Sequence, residues 1–274
     1  MISKQTFSHI DKEVRDAIQN TLDNLKKNNS SNYVLFLAQG EFLEKDDKNL
    51  LNFDLYVIDY RIDEYKDKTR LTFLTNFLNT FYSFTVNKQA TDDNEQRIHM
   101  ELMIYCHIWE SKPFLKKLYR LAHITNGKDY DWKVSIPDMT KWKFIRHEIK
   151  RAFDSSGSKL SEIIKKGFHS SLRNAFAHSE FSLDTIGGNK RIWLDTYKGD
   201  KWDIQEISFD EWSKKFAYSF LLSYYLLILT QKSRRNLIKD FKTNKFNIKY
   251  PDSQTGKIND VNIIYEEDRD RFSR

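Results

Sequence analysis

The sequence predicts a mainly α protein: a helical bundle with a β-hairpin after the helix at 160–178 and a small second hairpin near the C-terminus. Three observations carry this. Only 8 Gly and 3 Pro occur in 274 residues, far below the usual combined share of roughly 12%, which disfavours turn-rich sandwiches, barrels, propellers and Gly-rich nucleotide folds. Apolar residues recur at helical spacing along much of the chain. The most apolar stretch, Phe216–Thr230, contains Ser219, Ser223 and three tyrosines. It is too short and too polar to span a bilayer, which takes about 20 apolar residues, and suits the central buried helix of a bundle.

Taken in order, Asp11–Lys27 places Val14, Ile18, Leu22 and Leu25 on one helical face. Tyr33–Leu37 and Phe53–Asp59 are short apolar runs that periodicity alone leaves open between strand and buried helix. Arg70–Phe84 is apolar almost all round, as in a buried helix. The polar segment Val86–Gln96 reads as a linker, with Asp92 or Asp93 capping a helix over Glu95–Glu110. Pro113 opens the next helix, to about Ile124, and Asn126-Gly127 closes it. Asp138–Phe153 and Leu160–His178 read as two further helices on either side of a Ser/Gly turn. Phe181–Asp184 and Arg191–Tyr197 flank Gly187-Gly188-Asn189 as a β-hairpin, and Trp202–Ser208 suits an added strand. Ser208 and Glu211 form a capping box for a helix to about Phe241. Phe246–Tyr250 and Val261–Tyr265 pair as a terminal hairpin. The expected division is 1–90 as a helical extension packed on the core, 91–244 as the main domain and 245–274 as a hairpin tail.

Composition limits the chemistry. The 45 Lys+Arg against 39 Asp+Glu give a formal charge of +6, compatible with a polyanionic partner but equally with a well-solvated surface. The single Cys106 excludes an internal disulfide and a multi-thiolate zinc site, and its apolar surroundings suit a buried small side chain rather than a catalytic thiol. The N-terminus has no signal-peptide pattern, so a cytoplasmic protein without a membrane segment is expected. Dinucleotide, Walker and nucleophile-elbow motifs are missing. No two histidines fall as His-x3-His, and the acidic clusters Asp46-Asp47 and Asp92-Asp93-Asn94-Glu95 suit solvated loops or caps, so neither a metal nor a cofactor is expected.

What remains is Leu172-Arg173-Asn174-Ala175-Phe176-Ala177-His178. Arg173, Asn174 and His178 fall off the apolar stripe of their helix, flanked by the small Ala175 and Ala177. Asn174 and His178 share a face at i, i+4, with Ser170 one turn earlier, and Arg173 lies beside them with His169 a turn before it. His178 sits near the helix C-terminus, where the dipole favours imidazolium. A fixed cation, an amide and a group titrating near neutrality, with no carboxylate among them, suit RNA transphosphorylation. The same spacing also suits a structural role in which Arg173 and His178 cap helices.

The segment Ser171–Glu180, followed by a hairpin and Ile-Ser-Phe-Asp-Glu-Trp212, resembles the HEPN superfamily, specifically its bacterial stand-alone members. Its motif is Arg, a polar residue, a few mostly apolar residues, then His, matched here by Arg173, Asn174 and His178. The resemblance covers roughly 95–241. It implies an HEPN-like bundle that forms a homodimer with a composite cleft, and metal-independent endoribonuclease action leaving 2′,3′-cyclic phosphate and 5′-hydroxyl ends. His178 would move protons, Arg173 would hold the phosphate and Asn174 would position it. Ser170, His169 and Glu180 are supporting residues expected from helical geometry. A toxin or phage-defence role follows by the same resemblance, with a cognate antitoxin or regulatory protein as a partner. In toxin–antitoxin members a Tyr stands two residues after the His; here Glu180 does, which puts silencing by modification of that Tyr in doubt. The alternatives are a catalytically silent module that binds RNA or nucleotide or serves as a dimerisation platform, and a regulatory subunit that grips a partner protein.

Overall fold

The first helix, α1 (Lys4–Asn28), starts earlier than periodicity predicts because Ser3 caps it, its Oγ accepting the Thr6 amide at 3.0 Å. The chain is seen in a computed structural model that describes residues 2–43, 55–85, 88–92, 94–188, 190–195 and 202–274. Asn29 ends α1 and caps α2 (Ser30–Leu37), so the undecided run Tyr33–Leu37 is buried helix. Glu41–Phe42 (β1) pairs antiparallel with Tyr56–Val57 (β2), so the second undecided run supplies a short strand. Its first two residues, Phe53 and Asp54, lie outside the described residues.

Helix α3 (Arg61–Phe81) is buried on one face rather than all round: Leu74 and Phe77 are covered, whereas Phe73 is 49% exposed. The described part of the expected linker is tied to the N-terminus. Ala90 bridges Ser3, and the buried Thr91 donates its amide to the Ile2 carbonyl at 3.0 Å. Helix α4 (Glu95–Glu110) is capped by Asn94, which accepts the Gln96 amide at 2.8 Å, rather than by Asp92; Asp93 lies outside the described residues. Helix α5 (Lys112–Thr125) has Pro113 in its first turn and stops at Asn126, with Gly127 at φ +78°.

Two expected helices are irregular. The first starts at α6 (Lys141–Lys143), after a left-handed Thr140, and passes through a π-helical turn (Phe144–Lys150) into α7 (Arg151–Ser155). The other, expected to be continuous from Leu160 to His178, is two helices, α8 (Leu160–Gly167) and α9 (Ser170–Ala177), with Phe168 and His169 extended between them. The break has a side-chain cause. The buried Tyr105 hydroxyl of α4 donates to the Gly167 carbonyl at 3.2 Å and accepts the His169 amide at 2.9 Å, taking up backbone groups that a continuous helix would pair internally.

After α9 comes a three-stranded antiparallel sheet of β3 (Phe181–Asp184), β4 (Arg191–Leu194) and β5 (Glu206–Ser208), with Phe181 opposite Leu194 and Ile192 opposite Ile207. The expected continuation of β4 to Tyr197 runs into residues 196–201, outside the described residues. Ser208 caps the 27-residue α10 (Phe209–Arg235), accepting the Glu211 amide at 3.2 Å while its hydroxyl meets the Glu211 carboxylate at 3.1 Å. The helix breaks at Asn236, and α11 (Leu237–Phe241) follows. The terminal hairpin gains a third strand: β6 (Lys245–Pro251), β7 (Ile258–Glu266) and β8 (Arg271–Ser273) are antiparallel neighbours.

Helix α10 is the axis of the core, as its apolar sequence predicts. Helices α1, α3, α4 and α8 lie against it. Gly167 allows α8 to approach closely: a Cβ there would stand 2.8 Å from the Ser219 hydroxyl and 3.1 Å from its backbone nitrogen. At the centre, Glu101 of α4 is fully buried and accepts from Arg97, the Tyr82 hydroxyl (2.6 Å) and Trp212 Nε1 (2.9 Å). Each acceptor bond offsets part of the cost of burying that carboxyl. No helix among the described residues is long and apolar enough to cross a membrane.

Candidate functional site

Helix α9 owes its orientation to one apolar face. Leu172, Ala175 and Phe176 are buried, and the Phe176 ring lies 5.0 Å from Trp212 and 6.2 Å from Tyr105. That leaves Arg173, Asn174 and His178 on the outer side, Arg173 and Asn174 half-buried and His178 exposed. The helix ends in a Schellman turn: the Glu180 amide donates to the Ala175 carbonyl at 2.8 Å and the Ser179 amide to Phe176 at 3.3 Å. The left-handed residue in the turn is Ser179, at φ +57°, where glycine is usual. The His178 amide donates to the Asn174 carbonyl at 3.1 Å, so the two residues sit one helical turn apart.

The patch is not free of carboxylates, contrary to expectation. Glu110, the last residue of α4, places Oε1 2.8 Å from Arg173 Nη1 and Oε2 2.8 Å from Lys141 Nζ. The Arg173 side chain is 14% exposed, and its Nε is buried without a hydrogen-bond partner. Arg173 is therefore held by Glu110, and its Nε–H is a buried donor without a partner. The Cys106 thiol points at the Arg173 carbonyl at 3.7 Å, and burial pushes its pKa up to about 12. It is a packing residue, as its surroundings predict, and no nucleophile at neutral pH.

The supporting residues divide. Ser170 Oγ accepts from Arg146 Nη2 at 3.3 Å, which joins α9 to the π-helical turn. His169 does not sit a turn before Arg173 in a continuous helix; it is the extended residue ahead of α9. Its charged neighbours are Lys215, Asp203 and Arg146, its Nδ1 is buried without a hydrogen bond, and burial lowers its pKa, with the Lys215 charge second. Glu180 acts through its backbone, whose carbonyl accepts the Asp195 amide at 3.0 Å and so links α9 to the sheet, while its Oε2 is buried without a partner.

Beside Ser170 lies a feature the sequence reading missed. Arg146, His147, Lys150, Arg151 and Lys165 line a groove of about 390 Å³ with Ile164 and Phe168, against the single carboxylate of Asp154 among its described lining residues. Trp142 supports the upstream end, with Lys143 and Arg146 each 5.5 Å from its ring centroid. The signal was present in Lys141-Trp-Lys-Phe-Ile-Arg-His-Glu-Ile-Lys-Arg151, a basic run with interleaved aromatics that reads as an ordinary amphipathic helix until the π-helical turn is known. Among the described residues, no three His, Cys, Asp or Glu side chains come together as metal ligands.

No protein-family model, curated protein or solved structure matches this chain.

Proposed function

We propose that the protein is a metal-independent endoribonuclease of the HEPN kind, with Arg173, Asn174 and His178 as its catalytic residues. The observation that carries this reading is the position of all three on the outer edge of α9, beside a basic groove joined to that helix through the Arg146–Ser170 bond. Single-stranded RNA lying in the groove has its phosphates met by fixed cations. The 2′-hydroxyl attacks the adjacent phosphorus, the bond to the 5′-oxygen breaks, and the products are a 2′,3′-cyclic phosphate and a 5′-hydroxyl. His178, exposed and reachable by substrate, moves the proton. Arg173 balances charge that develops on the non-bridging oxygens, and the Asn174 amide donates to the same phosphate. Two copies pair so that their α9 edges share a cleft; Met103, 66% exposed and one turn before Cys106 on the neighbouring α4, belongs to the covered surface.

A second reading is favoured by a specific contact. Glu110 already engages Arg173, which favours a catalytically silent module that binds RNA or nucleotide or serves as a partner platform. Purified protein incubated with labelled single-stranded RNA in excess EDTA distinguishes the two. Under the nuclease reading, wild type cleaves and sediments as a dimer, and Arg173→Ala or His178→Ala lowers the rate at least about a hundredfold with unchanged far-UV circular dichroism. RNA that is bound but left intact by wild type moves the assignment to the silent module.

A further inference from the structure

A second, larger cavity of about 580 Å³ opens between α3, α5, α10 and the β1 strand. Its wall is cationic. Arg70 of α3, Lys112, Lys116, Lys117 and Arg120 of α5, and Lys133 line it, together with Glu41 and Asp67. Each of these carboxylates is shared. Glu41 meets Lys116 at 2.9 Å and Arg120 at 2.8 Å, and Asp67 meets Lys117 at 2.8 Å and Arg70 at 3.2 Å. One positive charge is left over in each trio. Lys133 adds to them, its ammonium 4.4 Å from the centre of the Phe42 ring and 5.5 Å from that of Tyr56. Arg70 Nε is buried there with no hydrogen-bond partner. The floor is apolar, made by Phe36, Phe114 and Leu226.

A concave site whose lining is net positive, over a low-dielectric floor, concentrates its field on a ligand of the opposite sign. The volume lies in the range of small-molecule sites, about 300–1,000 Å³. The uncompensated charge is shared between the Glu41 trio, the Asp67 trio and Lys133, which one carboxylate cannot balance, whereas a chain of phosphates can. The apolar floor calls for a ligand with a body of its own rather than a bare inorganic anion. We propose that this cavity binds a small molecule carrying several phosphate groups on an apolar or aromatic body.

The test is isothermal titration calorimetry of the full chain with three probes: ATP, tripolyphosphate and adenosine. ATP supplies both halves of the ligand, and the other probes supply one each. The variant is Lys112→Glu/Lys133→Glu, two exposed side chains whose change leaves the core intact; unchanged near-UV circular dichroism checks this. Lys249→Glu/Lys257→Glu on the C-terminal sheet makes the same change in net charge elsewhere. ATP is expected to bind one per chain and at least about tenfold more tightly than either fragment. The cavity variant should weaken it at least about tenfold, and the control variant by less than about twofold. Absence of saturable ATP binding, binding indifferent to the cavity variant, or tripolyphosphate binding as tightly as ATP would each overturn the proposal.

Discussion

At the scale of the residue, the Arg173–Glu110 contact decides how the motif behaves. A guanidinium held at 2.8 Å by a carboxylate must share or give up that partner to hold a phosphate. Glu110→Gln keeps the shape and removes the competing charge. It is expected to tighten RNA binding several-fold and to steepen its fall with salt, because one more cation becomes available to the backbone. Weaker binding in a filter or anisotropy titration would instead make Glu110 a positioning residue for Arg173. The three motif residues were legible in the sequence, because a short helix offers few ways to place Arg, Asn and His off its apolar stripe. Glu110 was not, since it reaches the site from a separate helix and nothing in its own neighbourhood marks it. The place of His169 was misread for a related reason: its position depends on a Tyr105 hydroxyl that the local pattern does not contain.

At the scale of the element, the amphipathic helices and the Ser208 capping box followed from spacing and cap chemistry, because those features are local. The breaks did not. The split between α8 and α9 comes from Tyr105, and the π-helical turn carries Arg146 to Ser170 at the start of α9 without a Pro or Gly to announce it. Gly167, inside the run Leu160–His178, is a contact point between helices. Gly167→Ala puts a methyl group against the Ser219 hydroxyl and backbone nitrogen, and backbone cannot move aside as a flexible side chain can. The expected loss is about 1–3 kcal/mol, read from chemical denaturation. A variant as stable as wild type would mean that α8 can slide along α10 without cost.

At the scale of the whole molecule, the bundle with small sheets was visible in the scarcity of Gly and Pro and in the apolar length of α10. The strand added to the first hairpin was expected at Trp202–Ser208 and is found as β5 at its end, whereas β8 (Arg271–Ser273) is only three residues long and leaves little periodicity to read. The folded chain also carries an acid sensitivity. Burial lowers the pKa of His169, His123 and His107, with a second contribution from Lys215, Lys128 and Arg70 respectively. A depressed folded pKa means that the unfolded chain takes up protons first, so stability present above about pH 6.5 is lost as pH falls through the folded values. Burial pushes Glu101 and Asp59 upward, which acts with the opposite sign but nearer the carboxylate range. The melting temperature is therefore expected to fall between pH 7.5 and 5.5, and His169→Gln should reduce the drop. A flat profile across that window would show that these imidazoles protonate without unfolding pressure.

The most direct test of the ribonuclease assignment is the chemistry of the cut ends. RNA treated with wild-type protein in excess EDTA is resolved by mass spectrometry, with His178→Ala protein alongside. Fragments ending in 2′,3′-cyclic phosphate with matching 5′-hydroxyl ends are expected in the wild-type sample alone. Cleavage giving 5′-phosphates, cleavage retained by the His178→Ala protein, or RNA left whole by wild type would contradict it.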